Sequence, residues 1–217
     1  MIDKEQSCNT AMIKRKEKNM ATIKGNVLTV IAVLFSFLSI NSVVYAADEG
    51  PLSQKGTKRF GINLGYGYSF SSNRDLRFVD AYPYFGYVLT NPLGAGWYRG
   101  TGECIVEGAF SYVYKKQKNY IAGVNLLGRY NFLTHSDNWR PYFQAGVGFI
   151  GTNLKMRGLG SDFNFKPNVG GGLQYFWNHC NAIHMEWRYE HISNGGIDEP
   201  NAGLNLSTFL IGYSRTF

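Results

Sequence analysis

Cysteine is scarce in this chain, three in 217 residues, and no two form a Cys-x-x-Cys pair. The four histidines do not cluster with cysteine or carboxylate at zinc-ligand spacing. No glycine-rich loop opens a helix, which excludes the common phosphate-cradling nucleotide sites. Charged residues make up 17% of the chain, and no segment beyond residue 46 carries the 3.6-residue period of a long amphipathic helix. Zinc-finger, P-loop and helical-bundle readings all fall with these absences.

The apolar run Val27–Ile40 follows Lys24 and precedes Val44-Tyr45-Ala46, with small residues at −3 and −1. It is too short for a comfortable transmembrane helix. It reads as a signal peptide over 1–46, cleaved before Ala47. Residues 1–19 form a long basic n-region, and Met20 is an alternative start that would leave an ordinary leader. The leader holds six Lys/Arg and three Asp/Glu of the chain's 22 and 15, so 47–217 carries a net +4. That is no nucleic-acid footprint, although it suits a surface that meets phosphorylated lipid. Cys104 and Cys180 are the two mature cysteines; export would place them in an oxidising compartment, but spacing alone cannot say whether they meet.

What the mature chain has in abundance is glycine and aromatics, 26 Gly, 15 Phe and 15 Tyr in the whole sequence. They fall in period-2 alternation. Phe60, Ile62, Leu64, Tyr66, Tyr68 and Phe70 alternate with Gly61, Asn63, Gly65, Gly67 and Ser69. About eleven residues of such alternation is what a tilted strand needs to cross a bilayer. Eight segments are expected as strands: 58–70, 77–89, 103–114, 120–132, 140–153, 163–177, 182–193 and 205–217. An even number of alternating strands closes into an all-β, eight-stranded antiparallel up-and-down barrel over 47–217, apolar outside and small or polar within. A secreted β-sandwich would give the same alternation. The aromatic strand ends and the small residues on the opposite faces favour the barrel.

On the seventh segment, alternate side chains place Met185, Trp187, Tyr189, His191 and Ser193 on one face and Glu186, Arg188 and Glu190 on the other. The charged face is then the lumen, shared with Arg129 and Glu107, as an ion-pair plug. His191 and Ser193 face lipid. Such barrels normally keep both termini in the periplasm, which puts this pair at the outer end of its strand. A serine becomes a nucleophile when a base takes its proton, and His191 is placed to be that base. The bland alternative is a girdle histidine hydrogen-bonded to a serine. A third group to orient His191 should come from the next strand on the same face, where Asn205 stands; Asp198 and Glu199 in the loop are other candidates. The loop from Asn194 to Gly203 could aim backbone N–H groups, with the Asn201 side chain, at an oxyanion, or be a plain turn.

The run Arg188-Tyr189-x-His191-x-Ser193-Asn194-x-Gly196-Ile197-x-x-Pro200-Asn201-x-Gly203 resembles the signature of the outer-membrane lipid A 3-O-deacylases (PagL type), a family of acyloxyacyl hydrolases. The close resemblance covers about 187–217; the rest agrees in strand pattern and length. It implies a serine esterase, without metal or cofactor, that removes the 3-O acyl chain of lipid A. It implies Ser193 as nucleophile, His191 as base and Asn201 as an oxyanion donor, beside which the loop reading sets the amides of Asn194 and Gly196. The family's acidic third member falls at position 205, where this chain carries the neutral Asn205. The expected partners are lipid A of lipopolysaccharide, outer-membrane lipids and the barrel assembly machinery, with no nucleic acid; a homodimer is compatible with the reading. The rival readings are a non-catalytic structural or adhesive barrel and an esterase acting on phospholipid.

Overall fold

A computed structural model of the chain describes residues 54–70, 75–115, 118–136, 138–152 and 161–217. The expected leader at 1–46 and the alternative start at Met20 lie outside the described residues. The eight strands are β1 (Lys58–Ser69), β2 (Arg77–Val88), β3 (Gly100–Val113), β4 (Asn119–Phe132), β5 (Trp139–Thr152), β6 (Phe163–Phe176), β7 (Asn181–Ile192) and β8 (Leu204–Thr216). A short 3₁₀ turn, Gly96–Tyr98, lies between β2 and β3. Each strand pairs antiparallel with the next, and β1 pairs with β8 from Arg59↔Thr216 to Ser69↔Leu206, which closes the barrel. Closure excludes the sandwich.

The pleat sorts the two faces as the sequence pattern requires. Phe60, Leu64, Phe85, Val106, Phe110, Leu126, Phe143, Phe149, Met185, Trp187, Phe209 and Ile211 are exposed on the outer wall. So much contiguous apolar surface is stable only against lipid. Aromatic pairs mark the terminal end of the wall, Trp139 against Tyr175 and Trp177 stacked on Tyr213. Cys104 lies on the outer face of β3 and Cys180 in the β6–β7 turn; both are exposed and unbonded to each other.

The lumen is not lined by small residues alone. Phe78, Tyr82, Tyr84, Tyr142 and Phe176 point inward and are buried. They occupy the room left by glycines: a Cβ on Gly67 would sit 2.0 Å from the Phe78 ring. Between them runs the expected ion-pair plug. The Arg188 guanidinium donates to Glu107 at 2.6 Å and to Glu186 at 2.6 Å. Lys166 pairs with Glu190 at 2.9 Å and Arg59 with Glu103 at 2.8 Å. Asn125 donates to Glu107 Oε1 and Gln144 to Glu186 Oε1, the oxygens that Arg188 also engages, and Tyr142 donates to Glu186 Oε2. Buried charges need such partners, because each is cut off from water.

Candidate active site

The site stands at the end of the barrel opposite the termini, on the outer wall of β7 and β8. The hairpin register places His191 directly across from Asn205. Directly opposed residues have their Cβ atoms close enough for side chains to meet. His191 Nδ1 and Asn205 Oδ1 are 2.6 Å apart. With an amide oxygen as acceptor, Nδ1 is the donor, and in the neutral ring the lone pair is then on Nε2. Tyr189, two residues back on the same face, donates its hydroxyl to the same Asn205 Oδ1 at 3.1 Å. Trp187, two further back, donates its indole N–H to Ser207 Oγ at 2.9 Å. The outward face of the hairpin is thus a ladder of polar tips on aromatic bodies.

Ser193 lies one residue beyond the end of β7. It is held by a bridge to β6: its N–H donates to the Phe165 carbonyl at 3.0 Å, and the Phe165 N–H donates back at 2.8 Å. Among the described residues no hydrogen bond joins Ser193 Oγ to His191. The two share the outward face at the rim, as the alternation requires, and both are half-buried.

The loop 194–203 is ordered by its own asparagines. Asn194 is fully buried; its N–H donates to Asn201 Oδ1 at 3.1 Å, and its side-chain amide donates to the Asp198 carbonyl at 2.6 Å. The Gly196 N–H donates to Asn194 Oδ1 at 2.9 Å. The amides of Asn194 and Gly196, expected from sequence as oxyanion donors, are therefore engaged within the loop. The reason is that a buried Asn side chain must satisfy its own carbonyl and amide, and the turn supplies the nearest partners. Asn201 takes part in this turn through its Oδ1. The Asp198 carboxylate accepts from the N–H of Glu199 at 2.9 Å, and among the described residues no hydrogen bond joins either acid to His191.

Gly203 closes the loop against the imidazole. Its φ is +64°, and a Cβ there would lie 2.6 Å from His191 Cε1 and 2.9 Å from Nε2. Only glycine fits on both counts. His191 is held on one edge by Asn205 and backed on the other by bare backbone. Sequence reasoning found the His191–Asn205 pair through strand parity. It missed Tyr189, Gly203 and the Phe165 bridge, the last because it depends on how β6 meets the end of β7.

The model of the family described as "Lipid A 3-O-deacylase (PagL)" matches residues 84–214. The lipid A deacylase PagL of Pseudomonas aeruginosa is 35% identical over 71 residues, 31% of this chain and 39% of that protein. The lipid A deacylase PagL of Bordetella bronchiseptica is 39% identical over 70 residues, 31% of this chain and 37% of that protein. These matches thus span well under half the length of either relative. Among solved structures, the outer-membrane enzyme PagL superposes with a TM-score of 0.53 at 18% identity, covering 71% of this chain and 97% of that one. Neisserial surface protein A superposes equally well, with a TM-score of 0.53 at 15% identity, covering 75% of this chain and all of that one.

Proposed function

Because the chain belongs to the lipid A 3-O-deacylase (PagL) family, we propose that it is a serine esterase that removes the ester-linked 3-O acyl chain from lipid A. The barrel and the family make it an integral outer-membrane protein. The observation that carries the proposal is the 2.6 Å His191–Asn205 pair on a lipid-facing wall, with Ser193 two residues on. A soluble hydrolase has no reason to build its base on the greasy face of a sheet. A lipid esterase does, since its substrate approaches within the membrane.

In this reading Ser193 Oγ attacks the acyl carbonyl carbon while its proton passes to His191 Nε2. The tetrahedral intermediate collapses, the C–O bond to the sugar breaks, and His191 returns the proton to the departing 3-oxygen. Water, deprotonated by the same His191, then hydrolyses the acyl-serine. Asn205 keeps His191 in the tautomer that leaves Nε2 free. Asn201 Nδ2 is the foremost oxyanion donor. Asn194 and Gly196 serve it by holding its amide and the turn in place. Ser193 Oγ closes onto Nε2 when substrate arrives; catalytic hydrogen bonds are often unmade without it.

Mass spectrometry of lipid A from cells with and without the protein, and with Ser193→Ala, tests this. The expected result is loss of one 3-O acyl chain that depends on Ser193. Unaltered lipid A with deacylated phospholipid would redirect the esterase to phospholipid. No change in either lipid class would favour the non-catalytic barrel, which the neutral Asn205 and the unmade Ser193–His191 bond also fit.

A further inference from the structure

We propose that Tyr189 is a positioning residue: it fixes the orientation of the Asn205 amide and, through it, the protonation pattern of His191. The inference rests on the esterase reading above.

The need for such a residue follows from the side chain at 205. A carboxylate presents two equivalent oxygens, so turning it over changes nothing. An amide presents one oxygen and one NH₂ group, and turning it over replaces an acceptor with a donor. With the NH₂ toward His191, Nδ1 would have to accept, and its proton would move to Nε2. That nitrogen could then take nothing from Ser193. A chain that carries Asn at this position must therefore hold the amide one way round.

The structure shows what holds it. The Asn205 backbone is pinned on both sides, by its register with His191 on β7 and by the Phe70 N–H donating to its carbonyl at 3.2 Å. Backbone position alone does not choose between amide oxygen and amide nitrogen. Tyr189 stands opposite Ser207 and reaches diagonally to Asn205, where its hydroxyl meets the same Oδ1 that accepts from His191. A phenol is a better donor than acceptor, because its oxygen lone pair is delocalised into the ring. Its preference is thus for the amide oxygen, and it supports the productive orientation. The Tyr189 ring is itself steadied against Phe70, with centroids 5.8 Å apart. Tyr189 touches neither Ser193 nor His191 by any hydrogen bond, so its action is through Asn205.

The test compares Tyr189→Phe, the isosteric Asn205→Asp, and the double variant, each checked for heat-modifiable gel mobility as a folded barrel. Two readouts are taken: kcat and KM on lipid A, and the ¹⁵N shifts of the His191 ring, which report its tautomer without any turnover. Tyr189→Phe should lower kcat about tenfold with KM little changed, the scale of one lost neutral hydrogen bond. It should also move His191 from the Nδ1–H form toward the Nε2–H form. In the Asn205→Asp background the same substitution should cost no more than about threefold, a non-additivity that only coupled residues show. An unchanged tautomer in Tyr189→Phe, or an equal loss in both backgrounds, would overturn the proposal. If the wild type is no more active than Ser193→Ala, the esterase reading fails; the ¹⁵N shifts still decide whether Tyr189 sets the amide.

Discussion

The two faces of β7 solve opposite problems with the same strand. Inside, Glu186, Arg188 and Glu190 are buried, and each charge has a countercharge within hydrogen-bond reach. Outside, Tyr189 and His191 are half-buried, and their shared partner Asn205 is neutral. The lumen neutralises full charges that can never reach water. The outer wall sets polar side chains against one another without any countercharge. The difference teaches where each substitution should register: even-numbered positions on stability, odd-numbered ones on catalysis.

The largest effect should come from the outer face. Ser193→Ala and His191→Ala should each lower hydrolysis on the order of 10⁴-fold, and the double variant should be no worse than either alone, because the pair acts as a unit. Gel mobility and unfolding temperature should stay those of the wild type. Near-wild-type turnover in Ser193→Ala would place the nucleophile elsewhere.

The lumen gives the next largest effect. Arg188→Ala strands Glu107 and Glu186 without their main countercharge, at a cost of about 3–5 kcal/mol. Denaturant or thermal unfolding should show that loss, while activity per folded molecule is retained. A stable but inactive Arg188→Ala barrel would break the division between faces.

Asn205→Asp tests the neutral choice on the outer face. It supplies the charge-assisted partner that the imidazolium lacks, worth about 1.5–3 kcal/mol and hence about one to two decades in rate. Steady-state kinetics on lipid A should show the gain mainly in kcat. A drop instead, with loss on Asp198→Ala or Glu199→Ala, would move the orienting acid into the loop.

The smallest effect should come from the exposed rim. Hydrogen bonding from the Lys115 ammonium holds the Asp75 carboxyl below the ordinary carboxylate range, with Arg77 also close. A depressed value in the folded state contributes stability above the unfolded carboxylate range, and the contribution is lost as pH falls through the folded value. Solvent screening makes it slight. Asp75→Asn should leave the unfolding temperature at neutral pH unchanged within error.

Strand count, order and inward face were legible because alternation is strict wherever lipid covers one side. Seven of the expected strand starts fall within a residue of those observed. The exception is β3, expected from 103 and observed from Gly100, because Gly100-Thr101-Gly102 offers no apolar side chain to alternate. β2 alternates less cleanly than β1 for a related reason: its lumen face carries Phe78, Tyr82 and Tyr84, so both faces are greasy. At the site, parity alone brought His191 and Asn205 together. The engagement of the Asn194 and Gly196 amides was not legible, since a loop's internal hydrogen bonds depend on its three-dimensional course. Nor does the barrel itself decide function, since an enzyme and a surface protein superpose on it equally well.

Ser193 stands one residue past the outer end of β7, a stiff strand, so its height on the barrel wall is fixed. A strand rises about 3.3 Å per residue, so Ser193 stands about 20 Å further along the chain than Trp187, and less than that along the membrane normal because barrel strands tilt. A closed barrel is stiff, and it is the surrounding bilayer that thins or thickens to meet it. For an esterase built this way, regioselectivity becomes a matter of depth. If Ser193 is the nucleophile proposed above, the acyl ester level with it would be cut and one a few ångströms deeper would pass by. Bilayer thickness would then act as a control on turnover, and the lipid composition around the barrel would become part of its specificity.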